Sequence, residues 1–262
     1  MASRLRRRAM KIKKNLSRKE NYGSQRAASA IKYIVVHYTA NDGDGDEGNA
    51  NYFRNNIVKA SAHYFVDDDS ITQSVPDDYV AWSVGGSLYA DHTSTGGGKL
   101  YGIATNSNSL SIEMCDSKKD GKIKASEATM DRAARLIREK MKKYNVDIDH
   151  VIRHFDVNGK HCPAYMMDAS AWKDFTARVL GYAVGGTYKV TTASLLRKSA
   201  GGAKVDYADL DEVTKKKCKS AAGGAMILRG KTFILDEVAS KNSKIWGKTK
   251  KGYWLPMANT KA

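Results

Sequence analysis

The apolar run Ile34-Val35-Val36, closed by His37, constrains this chain more than any other stretch. Residues 31–37 read as a buried core strand, and an imidazole at the end of such a strand is held on a rigid element. A second segment, RHFDVNGKHCP at 153–163, places the Asn and Gly of a tight loop between His154 and Cys162. Together His37, His154 and Cys162 offer two imidazoles and one thiolate. Three protein ligands leave the fourth tetrahedral position open for water or substrate, and a strand end facing a loop suits an open metal site. The spacing is not that of a zinc finger, and any one of these residues taken alone is more often structural.

A chain of 262 residues can hold one good core plus a smaller module, and 42% hydrophobic residues exclude general disorder. No apolar run approaches the roughly 18 residues of a membrane span. The N-terminus, MASRLRRRAMKIKKNLSRKE, has the charge of a signal-peptide n-region without the apolar segment that follows one, so conventional secretion is not expected. Met1 and Met10 are both candidate starts. Three irregularly placed cysteines make no disulfide framework and suit a reduced thiolate at Cys162. Cys115, at the end of an alternating strand, is expected to be buried, and Cys218, in KKKCK, exposed. The balance of 44 Lys plus Arg against 28 Asp plus Glu, +16, predicts attraction to a polyanion, either nucleic acid or an anionic Gram-positive wall. Nine basic residues fall within the first 19 positions, so part of the excess belongs to a solvated arm, residues 1–24.

Beyond the arm, residues 48–58 read as a short helix with Phe53 and Ile57 four apart. Residues 62–66 and 71–75 form a strand pair across a turn at 67–70. Residues 85–108 form a long polar loop carrying His92. Leu110, Ile112 and Met114 alternate with Ser111, Glu113 and Cys115, so a period-2 strand sets Glu113 opposite the apolar residues. Residues 126–144 make an amphipathic helix capped by Ser126. A strand at 149–153 delivers His154, and 163–180 is a last helix with Trp172, Phe175 and Val179 inward. The mixture gives an α/β class, a central mixed β-sheet flanked by helices. After a linker at 182–187, short strands separated by Gly, Lys and Ser suggest a small all-β barrel over 188–262.

Five segments, IVVHYTAN at 34–41, SAHYFVD at 61–67, VAWSVGG at 80–86, SLSIEMCD at 109–116 and RHFDVNGKHCP at 153–163, occur in an order that resembles the type-2 N-acetylmuramoyl-L-alanine amidases of the phage lysozyme and peptidoglycan recognition protein superfamily. The resemblance runs from about residue 31 to 181 and implies a zinc amidase domain over 25–181. It assigns Zn2+ to His37, His154 and Cys162, acid–base catalysis to Glu113, oxyanion stabilisation to Lys160, and a secondary catalytic or substrate-binding role to His63. His161 is expected to point away from the metal, and His150 has no assigned role. Ser83 stands where relatives often carry a histidine, which bears on glycan or peptide preference. YKVTTASLLRKSAGG at 188–202 and IWGKTKKGYWLPM at 245–257 resemble bacterial SH3-like wall-binding modules, although residues 203–224 between them are long and polar.

The function so implied is zinc-dependent hydrolysis of the bond between N-acetylmuramic acid and L-alanine in peptidoglycan. The expected setting is a phage or prophage endolysin, made in the cytoplasm and acting on Gram-positive walls after release. The alternatives are a non-catalytic peptidoglycan-binding protein, a bacterial autolysin and a cytoplasmic enzyme recycling muropeptides. Specific nucleic-acid binding is not expected, because no stacking platform or recognition helix accompanies the charge.

Overall fold

A computed structural model of the chain describes residues 11–242 and 244–262, and the expectations for residues 1–10, the choice of start included, lie outside the described residues. Two units, Met1–Ala171 and Trp172–Ala262, each have their own core. In chain order the strands of the first unit are Lys13–Lys14 (β1), Tyr22–Gln25 (β2), Tyr33–Tyr38 (β3), Tyr64–Val66 (β4), Ile71–Gln73 (β5), Tyr79–Ala81 (β6), Ser109–Met114 (β7) and Val151–Arg153 (β8). Its helices are Asp46–Asn55 (α1), His92–Thr95 (α2), Glu127–Tyr144 (α3) and His154–Asn158 (α4), and Ala169–Val179 (α5) crosses the division between the units.

The apolar run becomes β3, whose Ile34, Val35 and Val36 are all fully buried. Burial on both faces requires cover on both sides, as in parallel sheets flanked by helices. The main sheet runs β1-β5-β4-β7-β3-β8, with β4 and β5 antiparallel and the other neighbours parallel. One face meets α3, whose Lys140 reaches Tyr64. The other face packs Phe65 and Cys115 against Ala50 and Phe53 of α1, and Val35 against Val157 of α4. Ser126 caps α3 by accepting the Thr129 N–H at 3.0 Å.

Several expectations need correction. The described part of the basic arm is docked rather than solvated: β1 extends the sheet beside β5, and buried Asn21 bonds the carbonyls of Phe53 and Asn56 and the N–H groups of Val58 and Lys59. The first helix starts and stops earlier than expected and leaves Ile57 53% exposed, because the chain turns back at Asn56 to meet Asn21. The loop at 85–108 contains α2, and the helix expected over 163–180 is shorter, Ala169–Val179.

The second unit contains Thr187–Val190 (β9), Ser194–Leu195 (β10), Glu212–Lys215 (α6), Cys218–Ala221 (β11), Gly224–Ile227 (β12), Thr232–Lys241 (β13), Lys244–Thr249 (β14), Trp254–Pro256 (β15) and Thr260–Lys261 (β16). They form two antiparallel sheets, β10-β12-β11 and β15-β14-β13-β9-β16. The long, polar residues 203–224 supply α6 and β11. Tyr182 and Val184, expected in a linker, pack against this unit's core, so the unit begins earlier than 188. Cys218 is buried rather than exposed: as the first residue of β11 it turns into the core, while the lysines before it belong to α6 and its end.

Candidate active site

Three neighbouring parallel strands end together. β3 lies between β7 and β8, so His37 is the register partner of Glu113, and His154 directly follows the β8 residue Arg153 that pairs with Val36. The imidazoles of His37 and His154 meet edge to face, with ring centroids 4.8 Å apart. Crevices at the carboxyl ends of parallel strands are the usual ligand sites of such sheets.

Cys162 reaches the same place through a braced loop. α4 ends at Gly159, whose φ of 86° is left-handed and whose missing Cβ would lie 2.8 Å from the His92 Cβ, so a larger residue is excluded twice over. The Phe155 N–H donates to the Cys162 carbonyl at 3.1 Å. Arg153 pairs with Asp156 at 2.7 Å and donates to the carbonyls of Met166 and Met167. These bonds join the turn that carries His154 to Cys162 and to the chain just after it. As a result the Cys162 Sγ sits 3.8 Å from the His37 Nδ1, and one ligand atom from each of His37, His154 and Cys162 lies within 4.8 Å of the others. A tetrahedral site with metal–N near 2.0 Å and metal–S near 2.3 Å has an N···S edge of roughly 3.5 Å.

Burial sets the charge states. It holds His37 well below the usual imidazole range and His154 at about 4, with the Lys160 cation acting in the same direction. Burial pushes the Cys162 thiol up to about 12 and the Glu113 carboxyl up to about 8, the latter against the pull of Lys160. Two neutral imidazoles therefore face a thiol and a carboxyl. The His37 Nε2, both ring nitrogens of His154 and the Glu113 Oε2 are buried with no hydrogen-bond partner among the described residues. Unpaired buried polar atoms are rare and costly, and a cation shared by the group would engage one nitrogen of each imidazole. The donor set of two neutral nitrogens and one sulfur thus fits a metal ion.

A cavity of about 670 Å³ opens beside this group, and His154, Lys160, Trp82, Ser83, Tyr89 and Asn158 lie on its wall. The Ser83 and Val84 N–H groups donate to the Asn106 Oδ1 at 2.9 and 2.8 Å, which fixes the Ser83 backbone at the rim. Lys160 is exposed there, and its N–H donates to the Asn158 Oδ1 at 3.1 Å.

Not every candidate residue joins the site. His63 is 1% exposed, and both its ring nitrogens are engaged: Nδ1 with the Ser111 N–H at 3.0 Å, Nε2 with Arg26 at 2.9 Å and near the Tyr79 carbonyl. No ring atom is left for metal or substrate, so the expected catalytic or binding role gives way to a structural one. His161 pairs with Asp91 at the surface, consistent with pointing away. His92 bonds the Tyr89 carbonyl, and His150 packs against Tyr33.

Two residues escaped sequence reading. Tyr165 is half-buried near Cys162 with its hydroxyl out of solvent, edge to face with Tyr38, and its position three residues after Cys162 is the one available signal. Arg26 donates to the carbonyls of Asp77, Asn106, Ser107 and Ser109, joining segments about 50 to 80 residues apart in the chain; no local pattern marks it.

Comparison with known proteins finds similar sequences and structures over the first unit. The family model described as N-acetylmuramoyl-L-alanine amidase (Amidase_2) matches residues 27–165. N-acetylmuramoyl-L-alanine amidase CwlA of Bacillus subtilis is 33% identical over 167 residues, 63% of this chain and 55% of CwlA. The solution structure of the PlyG catalytic domain is 31% identical, with a TM-score of 0.52, covering 67% of this chain and 96% of that domain. A mutant endolysin from Bacillus subtilis is 27% identical, with a TM-score of 0.51, covering 65% of this chain and 99% of that one. The chain spans about half the length of the curated relatives it matches.

Proposed function

Because the chain belongs to the N-acetylmuramoyl-L-alanine amidase family, we propose that it is a zinc-dependent hydrolase of the amide between N-acetylmuramic acid and L-alanine in bacterial peptidoglycan. The observation that carries this reading is the buried His37, His154 and Cys162 group beside Glu113. Two nitrogens, one sulfur and an open fourth position suit zinc better than magnesium or calcium. Held there, zinc would act as a Lewis acid on the amide carbonyl and make water a stronger acid.

The remaining work falls to the protein. Glu113, on a rigid strand, takes the proton of the attacking water and returns it to the amide nitrogen, which leaves poorly as an anion. A pKa near neutrality suits a group that must do both. Lys160, on the cavity wall, places a fixed cation where the carbonyl oxygen gains charge. Trp82 and Tyr89 offer apolar faces to a sugar or peptide, and the Ser83 hydroxyl takes the place of the histidine common in relatives.

The second unit is read as an SH3-like module that holds the enzyme on an anionic Gram-positive wall, raising the local substrate concentration. The likeness to a Bacillus endolysin supports a phage or prophage endolysin acting at the wall. Among the described residues no helix is long and apolar enough to cross a membrane. Deleting the second unit, Trp172–Ala262, should weaken wall binding while leaving turnover of soluble muropeptides; unchanged wall binding removes that role.

The decisive experiment is mass spectrometry of purified Gram-positive peptidoglycan digested by the wild type, by Glu113→Ala and by metal-stripped protein. Free stem peptides beginning with L-alanine, lost in both controls, establish the amidase. Binding of intact wall without cleavage, zinc added, overturns it in favour of a peptidoglycan-binding protein.

A further inference from the structure

The loops that follow the strands of His37 and Glu113 carry a second ligand group that amide hydrolysis does not use. Asp42 meets Asp116 and Asp120 there, with one carboxylate oxygen of each within 4.8 Å of the others. Asp116 is 5% exposed; its Oδ1 accepts the Lys118 N–H at 3.1 Å, while its Oδ2 is buried with no hydrogen-bond partner. Asp42 accepts N–H groups from Asp120 and Gly121, so the two loops are already joined at this point. Among the described residues no lysine or arginine forms an ion pair with any of the three. Converging anions, one of them buried and short of a partner, call for a cation.

The sequence of the second loop names the class of cation. Residues 116–127, DSKKDGKIKASE, follow the twelve-residue calcium loop pattern D-x-[DN]-x-[DN]-G-x5-E at Asp116, Asp120, Gly121 and Glu127. Gly121 has the left-handed φ of 74° that the sharp turn at the sixth position requires. The loop departs from the pattern at Lys118 in the third position, and Glu127 in the twelfth is not among the converging carboxylates; the third carboxylate of the group is Asp42, from the neighbouring loop. All the donors are oxygens, a hard set that selects calcium or magnesium and differs in kind from the nitrogen and sulfur donors of the candidate active site.

We propose that Asp42, Asp116 and Asp120 bind a calcium ion, a metal site separate from His37, His154 and Cys162. The ion ties the loop after β3 to the loop after β7, and so braces the strand ends that present His37 and Glu113. A site with few carboxylates on partly exposed loops belongs to the weak class of calcium sites, with Kd of about 10⁻⁴ to 10⁻³ M.

The test is equilibrium dialysis of the full chain against radioactive calcium, paired with thermal unfolding over a calcium titration. The wild type should take up one calcium per chain in that range and melt at higher temperature as calcium rises. Asp42→Asn and Asp120→Asn, both changes outside the core, should each weaken uptake at least about tenfold and blunt the rise in Tm, leaving the zinc content as it was. Asp44→Asn, in the same loop, should change neither. No saturable uptake by the wild type overturns the proposal, as does uptake that Asp42→Asn and Asp120→Asn leave intact. Both readouts are independent of peptidoglycan cleavage, so failure here and failure of the amidase reading are told apart.

Discussion

His37 and Glu113 are register partners on adjacent parallel strands, which brings the His37 Nδ1 to 3.9 Å from the Glu113 Oε1. Parallel register puts both side chains on one face of the sheet, and both strands end where the first-unit cavity and Cys162 lie. Neither residue depends on a flexible loop for its position, so each can be changed with little disturbance of the other's backbone.

Replacing Glu113 by Gln keeps the shape and removes the exchangeable proton. We expect kcat to fall by about 10²- to 10⁴-fold. Stability should hold or rise, because burial penalises the ionised carboxylate that the wild type must form. Zinc content should not change. Activity within threefold of wild type would remove Glu113 from the chemistry.

The pH dependence of metal-free stability follows from the buried histidines. Burial lowers His63 to about 3, with Arg26 adding to it, and His154 to about 4. Both are neutral in the folded state where the unfolded chain, near 6.5, is already protonated, so their contribution is present above pH 6.5 and lost as pH falls toward 4. Each titrating histidine adds a slope of about 1.4 kcal/mol per pH unit in that window. Glu113, raised to about 8, acts with the opposite sign: it costs stability as pH rises from about 4.5 to about 8. Urea midpoints of the metal-free protein between pH 4 and 6.5 should fall with acid, and His63→Gln should flatten the curve. An unchanged slope in that variant would show that His63 is not held neutral.

Much of the first unit was legible because it is written in short-range pattern. The branched run at 34–36, the alternation around Glu113 and the helical spacing from Met130 to Ile137 each state their period and burial locally. The three candidate metal ligands stood out because two imidazoles and a thiolate need a reason to be kept at strand and loop ends. What was not legible is what distant residues do to one another. Nothing in the sequence around His63 states that Arg26, Tyr79 and Ser111 occupy its ring nitrogens. The arm looked solvated because lysines at 11–14 carry no sign that β5 has an open edge. The lysines before Cys218 suggest exposure, although strand alternation turns adjacent side chains to opposite faces.

Metal binding should release a proton that can be counted. Burial holds the Cys162 thiol protonated at pH 7, with a pKa of about 12, whereas the neutral imidazoles have no proton to lose from an extra charge. A thiol must ionise to become a ligand. In the Glu113→Gln background, zinc titration by calorimetry in buffers of different ionisation enthalpy should show close to one proton released per site at pH 7. Cys162→Asp, whose carboxyl ionises more readily than a thiol, should bind zinc with a smaller release. Equal release by the two proteins would mean that Cys162 is not the ligand.

Lys160 supplies the last test, because its position separates binding from chemistry. It is exposed on the cavity wall, and its charge acts on His37, His154 and Glu113 without touching the fold's core. Lys160→Met should therefore leave Tm within about 1 °C, since surface substitutions away from caps and networks change stability by no more than about 0.5 kcal/mol. If the ammonium stabilises the oxyanion, kcat falls by about 10²-fold, close to 3 kcal/mol, while KM moves little. Lys160→Arg, which keeps the charge, should recover part of the loss. A rise in KM with kcat intact would instead make Lys160 a substrate-holding residue that binds ground state and transition state alike.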